Sequence, residues 1–165
     1  MLRAGTAGGA DPQLAGAAMT RIITEVERRP LPHVSFGVAE DVDGHVATED
    51  AIAAATKAAA KSLGSPLVIV FTKSGFTARI IASHRPGVPI LVLTDSERTY
   101  RQLALVWGVV PELVPRAATY EDMFAHARTV IERRALAKPG DRVLVTAGVP
   151  WDMPGTTNLM RVEVV

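Results

Sequence analysis

The sequence predicts an α/β fold: a three-layer α/β/α sandwich built on a five-stranded, mostly parallel sheet whose last strand runs antiparallel. Three observations carry this. The short continuous apolar runs LVIVF at 67–71, PILVLT at 89–94 and RVLVTAG at 142–148 alternate with segments of helical period, the pattern of strands buried on both faces beneath covering helices. The chain has 165 residues and is 48% hydrophobic, enough for one core of this kind. Finally, only about ten residues separate the last two strand-like runs, too few for a crossover helix, so the final strand returns antiparallel.

Taken in order, the first element is a helix beginning at Asp11-Pro12, where Asp caps and Pro occupies the first turn, and stopping at Pro30. Its Leu14, Met19, Ile22, Ile23 and Val26 form an apolar face that needs a partner. Residues 31–47 read as a solvated linker, with Pro32, Gly37, Gly44 and an acidic run. The alanine-rich TEDAIAAATKAAAKSLG then reads as a helix capped by Thr48 and ended by Gly64. Strand 67–71, helix 77–84, strand 89–94, helix 96–106, a proline-weakened strand 109–114, the amphipathic helix 120–134 and strand 142–148 follow. The closing strand, 159–165, alternates Met160, Val162 and Val164 with Arg161 and Glu163, as an edge strand does. Trp107, at a helix end, is expected to seal the core. The organisation expected is an N-terminal segment and helix 1–30, a linker 31–47 and an α/β domain 48–165.

Composition excludes several classes. Eighteen basic and seventeen acidic residues give a formal charge of +1, so there is no global attraction to nucleic acid or to an anionic membrane, and any anion site is local. Cysteine is absent, which removes disulfides and thiolate chemistry. No apolar run reaches the ~18 residues of a spanning helix and no secretory signal is visible, so the expected location is cytoplasmic.

In an open parallel sheet, ligands bind beyond the carboxyl ends of the strands. FTKSGFTAR lies there: Thr72, Ser74 and Thr77 bring hydroxyls, Lys73 charge, and Gly75 a turn that lets amides converge on one anion at a helix start. The competing reading is an ordinary capped turn in which Ser74 or Thr77 satisfies an orphan amide. The loop TAGVPWDMPGTTN lies at the same edge, with Trp151, Gly155, Thr156, Thr157 and Asn158; together the two loops suit a small phosphorylated metabolite. Asp152 opposes a strongly anionic ligand unless it faces water. Candidates for catalysis are thin. His33, His45, His84 and His126 are scattered without metal-ligand spacing, Arg79 and Arg85 read either as phosphate holders or as helix caps, and no nucleophile with a paired base emerges.

TKSGFTAR, HRPGVPILVLT, RQLALVWGVVP, KPGDRVLVTAGVP and GTTNLMRVEVV, in this order, resemble the C-terminal, effector-binding domain of pyruvate kinase over residues 48–165. MLRAGTAGGADPQLAGAAMTRI resembles the end of that enzyme's catalytic barrel, with Arg3 and Gly5 in place of its usual serine and glutamate. The resemblance implies a pyruvate kinase C-terminal-like fold, with Thr72, Lys73, Ser74, Gly75 and Thr77 as the loop receiving a sugar phosphate or nucleotide monophosphate effector. Gly155, Thr156 and Thr157 would close over it, beside Trp151. The barrel residues that hold magnesium and potassium in the whole enzyme have no counterpart in this sequence, so no metal site, cofactor or catalytic residue is expected. The chain reads as a non-catalytic regulatory domain, a piece of a larger kinase, or a structural domain, with a separate catalytic partner conceivable. A homodimer with 158–165 near its interface is expected by analogy with the family's tetramer; Arg161 and Glu163 read equally as edge protection of a monomer.

Overall fold

The computed structural model describes residues 8–28, 45–149 and 157–165. Its contacts divide the chain into two units, Met1–Gly37 and Val38–Val165. In the first, α1 spans Pro12–Glu27 behind Asp11, with the proline in its first turn as expected. It buries no residue, and Leu14 and Ile22 are respectively 64% and 65% exposed.

The second unit contains α2 (Thr48–Leu63), β1 (Val68–Phe71), α3 (Phe76–Ser83), β2 (Ile90–Thr94), α4 (Glu97–Leu103), β3 (Val109–Leu113), α5 (Tyr120–Arg134), β4 (Arg142–Ala147) and β5 (Leu159–Val164). The strands form one sheet in the order β3-β2-β1-β4-β5. β1, β2, β3 and β4 are parallel, with Val68 opposite Ile90 and Leu144, and β5 returns antiparallel with Met160 opposite Thr146.

Successive side chains of a strand point to opposite faces, and the core divides accordingly. On one face Val68, Val70, Ile90, Val92 and Leu144 pack with Ala53 and Ala60 of α2, Ala78 and Ile81 of α3 and Leu103 of α4. The alanines give α2 a low-profile face on which it lies close to the sheet. On the other, Leu67, Ile69, Phe71, Leu91, Leu93, Val143 and Val145 pack with Ala127, Val130 and Ile131 of α5. The result is the expected three-layer sandwich.

Local chemistry sets the element ends. Gly64 closes α2 in the left-handed region at φ 60°, where a side chain is disfavoured. The cap at the other end is Ala47, with no side-chain bond, and not Thr48, which is the first helical residue. Helix α4 stops at Leu103, short of the expected 106, because a turn at 104–108 leads into β3. That turn carries Trp107 outward: it is 63% exposed, and the Arg85 guanidinium lies 5.8 Å from its ring centroid. The expectation that Trp107 seals the core is thereby corrected. Pro111 sits inside β3, tolerated because β3 is an edge strand.

On β5 the exposed side chains are not the ones the alternation suggests. Val162 and Val164 are 46% and 59% exposed, whereas the Glu163 side chain is 17% exposed, turned toward α5, where it accepts a bond from the Tyr120 hydroxyl at 2.8 Å.

Candidate functional site

The strand order reverses at β1: β2 and β3 lie on one side of it and β4 and β5 on the other. The loops leaving the carboxyl ends of β1 and β4 therefore flank a topological switch point, where an open sheet has a crevice.

The first of these loops is held from three sides. Thr72 N–H donates to the Leu93 carbonyl at 3.2 Å, continuing the sheet ladder past the end of β1. Thr99 Oγ1 donates to the Lys73 carbonyl at 2.7 Å, tying the loop to α4. Arg79 on α3 donates to the Ser74 carbonyl and to Gln102 Oε1, both at 3.3 Å. Gly75 caps α3 at φ 79°; a Cβ there would lie 2.7 Å from Arg79 Nη1 and 3.2 Å from Thr99 Cγ2 and Leu103 Cδ2. Glycine is thus demanded twice, by backbone conformation and by space.

The hydroxyls bond within the loop and keep their protons. Thr72 Oγ1 accepts from Gly75 N–H at 3.0 Å, and Ser74 Oγ accepts from Phe76 N–H at 3.3 Å. The capped-turn reading is therefore correct as far as it goes. A hydroxyl that accepts from an amide still has its own O–H to donate, and the amides of Lys73, Ser74, Thr77 and Ala78 donate to no described residue. Hydroxyls, amides without a partner among the described residues and the amino-terminal end of α3 at one place, with Lys73 exposed beside them, can bind an oxyanion.

Among the described residues, the second loop meets the first at Thr157. Thr77 Oγ1 and Thr157 Oγ1 are 2.7 Å apart, and the residues are 4% and 1% exposed. The neck of the loop is closed by Asn158. Its backbone N–H donates to the Ala147 carbonyl at 3.2 Å, its Nδ2 donates to the Val149 carbonyl at 2.7 Å, and its Oδ1 accepts from Val149 N–H at 2.8 Å. Trp151, Gly155 and Thr156 lie outside the described residues.

Sequence reasoning missed Thr99, whose hydroxyl anchors the loop, and the use of Asn158 as a surrogate backbone pair. It also missed Tyr120, Arg161 and Glu163 as a unit. Tyr120 donates to Glu163, Arg161 Nε lies 2.7 Å from the same carboxylate oxygen, and the Arg161 guanidinium is 4.6 Å from the Tyr120 ring centroid. Burial, reinforced by the bond to Glu163 and its charge, raises the Tyr120 pKa far above the usual tyrosine range. A hydrophobic pattern carries no trace of either arrangement; the one available signal was an aromatic residue opening α5.

The histidines do not converge. His84 Nε2 lies 3.3 Å from Asp50 Oδ1, a pairing of α2 with the end of α3. Among the described residues no three His, Asp or Glu side chains form a group able to hold a metal ion.

Comparison with known proteins gives a consistent result. Residues 50–163 match the family described as "Pyruvate kinase, alpha/beta domain". A pyruvate kinase of Agrobacterium vitis is 41% identical over 98% of the chain, and one of Methylorubrum extorquens is 36% identical over all of it. The chain spans 33% and 34% of those two relatives, about a third of their length. Among solved structures, a pyruvate kinase of Cryptosporidium parvum in complex with ADP superposes with a TM-score of 0.66 at 28% identity, covering 73% of this chain and 24% of that one.

Proposed function

The chain belongs to the pyruvate kinase family, and from that premise we propose that its α/β domain is a non-catalytic regulatory module that binds a phosphorylated metabolite. The observation that carries this is the loop 72–77, with proton-bearing hydroxyls and amides that donate to no described residue at the switch point, braced by the Thr77–Thr157 contact. The ligand site comprises Thr72, Lys73, Ser74, Gly75 and Thr77, with Trp151, Gly155, Thr156 and Thr157 closing it. The ligand class is a sugar phosphate or a nucleotide monophosphate.

The functional division runs 1–30, 31–47 and 48–165, and the module works with catalytic machinery supplied by other residues of a kinase or by a separate partner. Phosphoryl transfer needs metal and cationic groups around the moving phosphoryl, so these 165 residues alone do not convert phosphoenolpyruvate and ADP to pyruvate and ATP. A lactate dehydrogenase-coupled assay with purified chain, magnesium and potassium tests that point; turnover would overturn it. The setting proposed is cytoplasmic, without nucleic acid or membrane. Among the described residues no helix is long and apolar enough to cross a bilayer.

Isothermal titration of the chain with sugar phosphates and nucleotide monophosphates tests the binding role. Saturable heat that disappears in a Ser74→Ala, Thr77→Ala double variant supports it. No saturable signal at millimolar ligand leaves a structural domain instead.

A second, compatible reading concerns assembly. β5 is a sheet edge whose Val162 and Val164 are half exposed, and an open edge invites pairing with a second copy. A homodimer through 158–165 follows. Light scattering over a hundredfold concentration range should give more than one 17.5 kDa chain mass; a constant monomer mass refutes it.

A further inference from the structure

Phe71 and Thr157 belong to the segments that build the two loops of the candidate site; Phe71 is part of an aromatic cluster, and Thr157 just precedes β5, whose Arg161 and Glu163 contact that cluster. Phe71 ends β1 and immediately precedes Thr72; its ring meets that of Tyr120 edge-on, with centroids 6.4 Å apart and planes at 84°. Tyr120 opens α5 and stacks on Phe124 at 6.1 Å. Its hydroxyl donates to Glu163 of β5 at 2.8 Å, and Arg161 of β5 completes the group through both the carboxylate and the ring.

Among the described residues, β5 is hydrogen-bonded to the sheet on one side, through β4. Its position across the sheet thus depends on what grips its side chains. On the α5 face Tyr120 supplies a charge-assisted bond, stronger than a neutral one. Thr157 sits just ahead of β5, and its hydroxyl must stay at 2.7 Å from that of Thr77. A displacement of β5 therefore opens the contact between the loops, and a displacement of Phe71 moves Thr72, whose hydroxyl holds the Gly75 amide.

We infer that Tyr120 is a positioning residue for the anion site, locking the end of β1, the start of α5 and β5 into one body that sets the spacing of the Thr72–Thr77 loop and Thr157. Its role toward a ligand rests on the binding function proposed above; its role in holding the loops does not.

The test uses the full chain and three variants. Tyr120→Phe keeps the ring and removes the donor. Glu163→Gln keeps an acceptor for the phenol and removes the charge. Ile131→Val trims the core at the far end of α5, providing a loss of packing away from the loops. Amide hydrogen exchange is read without ligand at Gly75 and Asn158, whose N–H groups report the two loops. Exchange there is expected to accelerate in Tyr120→Phe, less in Glu163→Gln, and beyond any change in Ile131→Val, by about two- to tenfold for one hydrogen bond. The Kd for inorganic phosphate is expected to rise in the same order. Equal exchange at Gly75 and Asn158 in all variants overturns the inference whether or not phosphate binds. Absence of phosphate binding by the unmodified chain overturns the proposed function and leaves the exchange result to decide the role of Tyr120. If Tyr120→Phe does not fold, Glu163→Gln against Ile131→Val decides.

Discussion

Thr77 Oγ1 and Thr157 Oγ1 lie 2.7 Å apart across 80 residues of sequence, both buried. One is the second residue of α3 and the other closes the loop after β4, so this bond joins the two walls of the crevice at the switch point.

Removing one partner leaves the other hydroxyl buried and without this bond. Thr157→Val, close to isosteric, is expected to cost about 1–3 kcal/mol, and the Thr77→Val, Thr157→Val pair less than the sum of the two singles. Urea denaturation of the four proteins gives the cycle; strict additivity would mean that the two hydroxyls do not interact.

Gly75→Ala is expected to destabilise by more than the roughly 1–2 kcal/mol of a left-handed non-glycine residue, because its Cβ also meets Arg79, Thr99 and Leu103. Thermal unfolding reads the loss. A Tm within a degree of the unsubstituted chain would contradict the geometry assigned to this loop.

Leu144, fully buried between β1 and β5 on the face covered by α2 and α3, tests the core. Leu144→Ala is expected to cost about 2–5 kcal/mol. A cost below about 1 kcal/mol, as at an exposed site, would contradict the layer assignment.

Tyr120 gives a pH dependence whose sign is fixed. Its folded-state pKa is raised by burial and by Glu163, whereas an unfolded tyrosine ionises near 10. Above about pH 10 the unfolded chain therefore binds fewer protons than the native one, and stability falls as pH rises. The contribution is fully present below pH 10. Stability measured from about pH 8 to 11 should decline less steeply in Tyr120→Phe; identical slopes would show that Tyr120 ionises as freely in the native state.

Most of the fold was legible because its signals are local. LVIVF and PILVLT are apolar without interruption since their strands are covered on both faces, and YEDMFAHARTVIERR reads as the helix it forms, Tyr120–Arg134. The short link before LMRVEVV correctly implied an antiparallel return. Trp107 was misplaced because a helical pattern running through Val106 hid a turn that begins at Ala104. The hydroxyls and glycine of the 72–77 loop were visible as a motif. Thr157 was named as a closing residue, but its bond to Thr77 and the anchoring by Thr99 were not legible, since both are tertiary contacts that no spacing records. Glu163 was hidden for the same reason: alternation says which face a residue occupies, and not that a tyrosine hydroxyl waits there.

The most direct test of the binding role is a ¹H–¹⁵N chemical-shift titration of the full chain with a sugar monophosphate. Saturable shifts are expected at the amides of Lys73, Ser74, Thr77 and Ala78 and at Thr157, and are expected to vanish in the Ser74→Ala, Thr77→Ala variant. A spectrum unchanged at millimolar ligand, or shifts that saturate elsewhere and survive those substitutions, would contradict the assignment of this loop as an effector site.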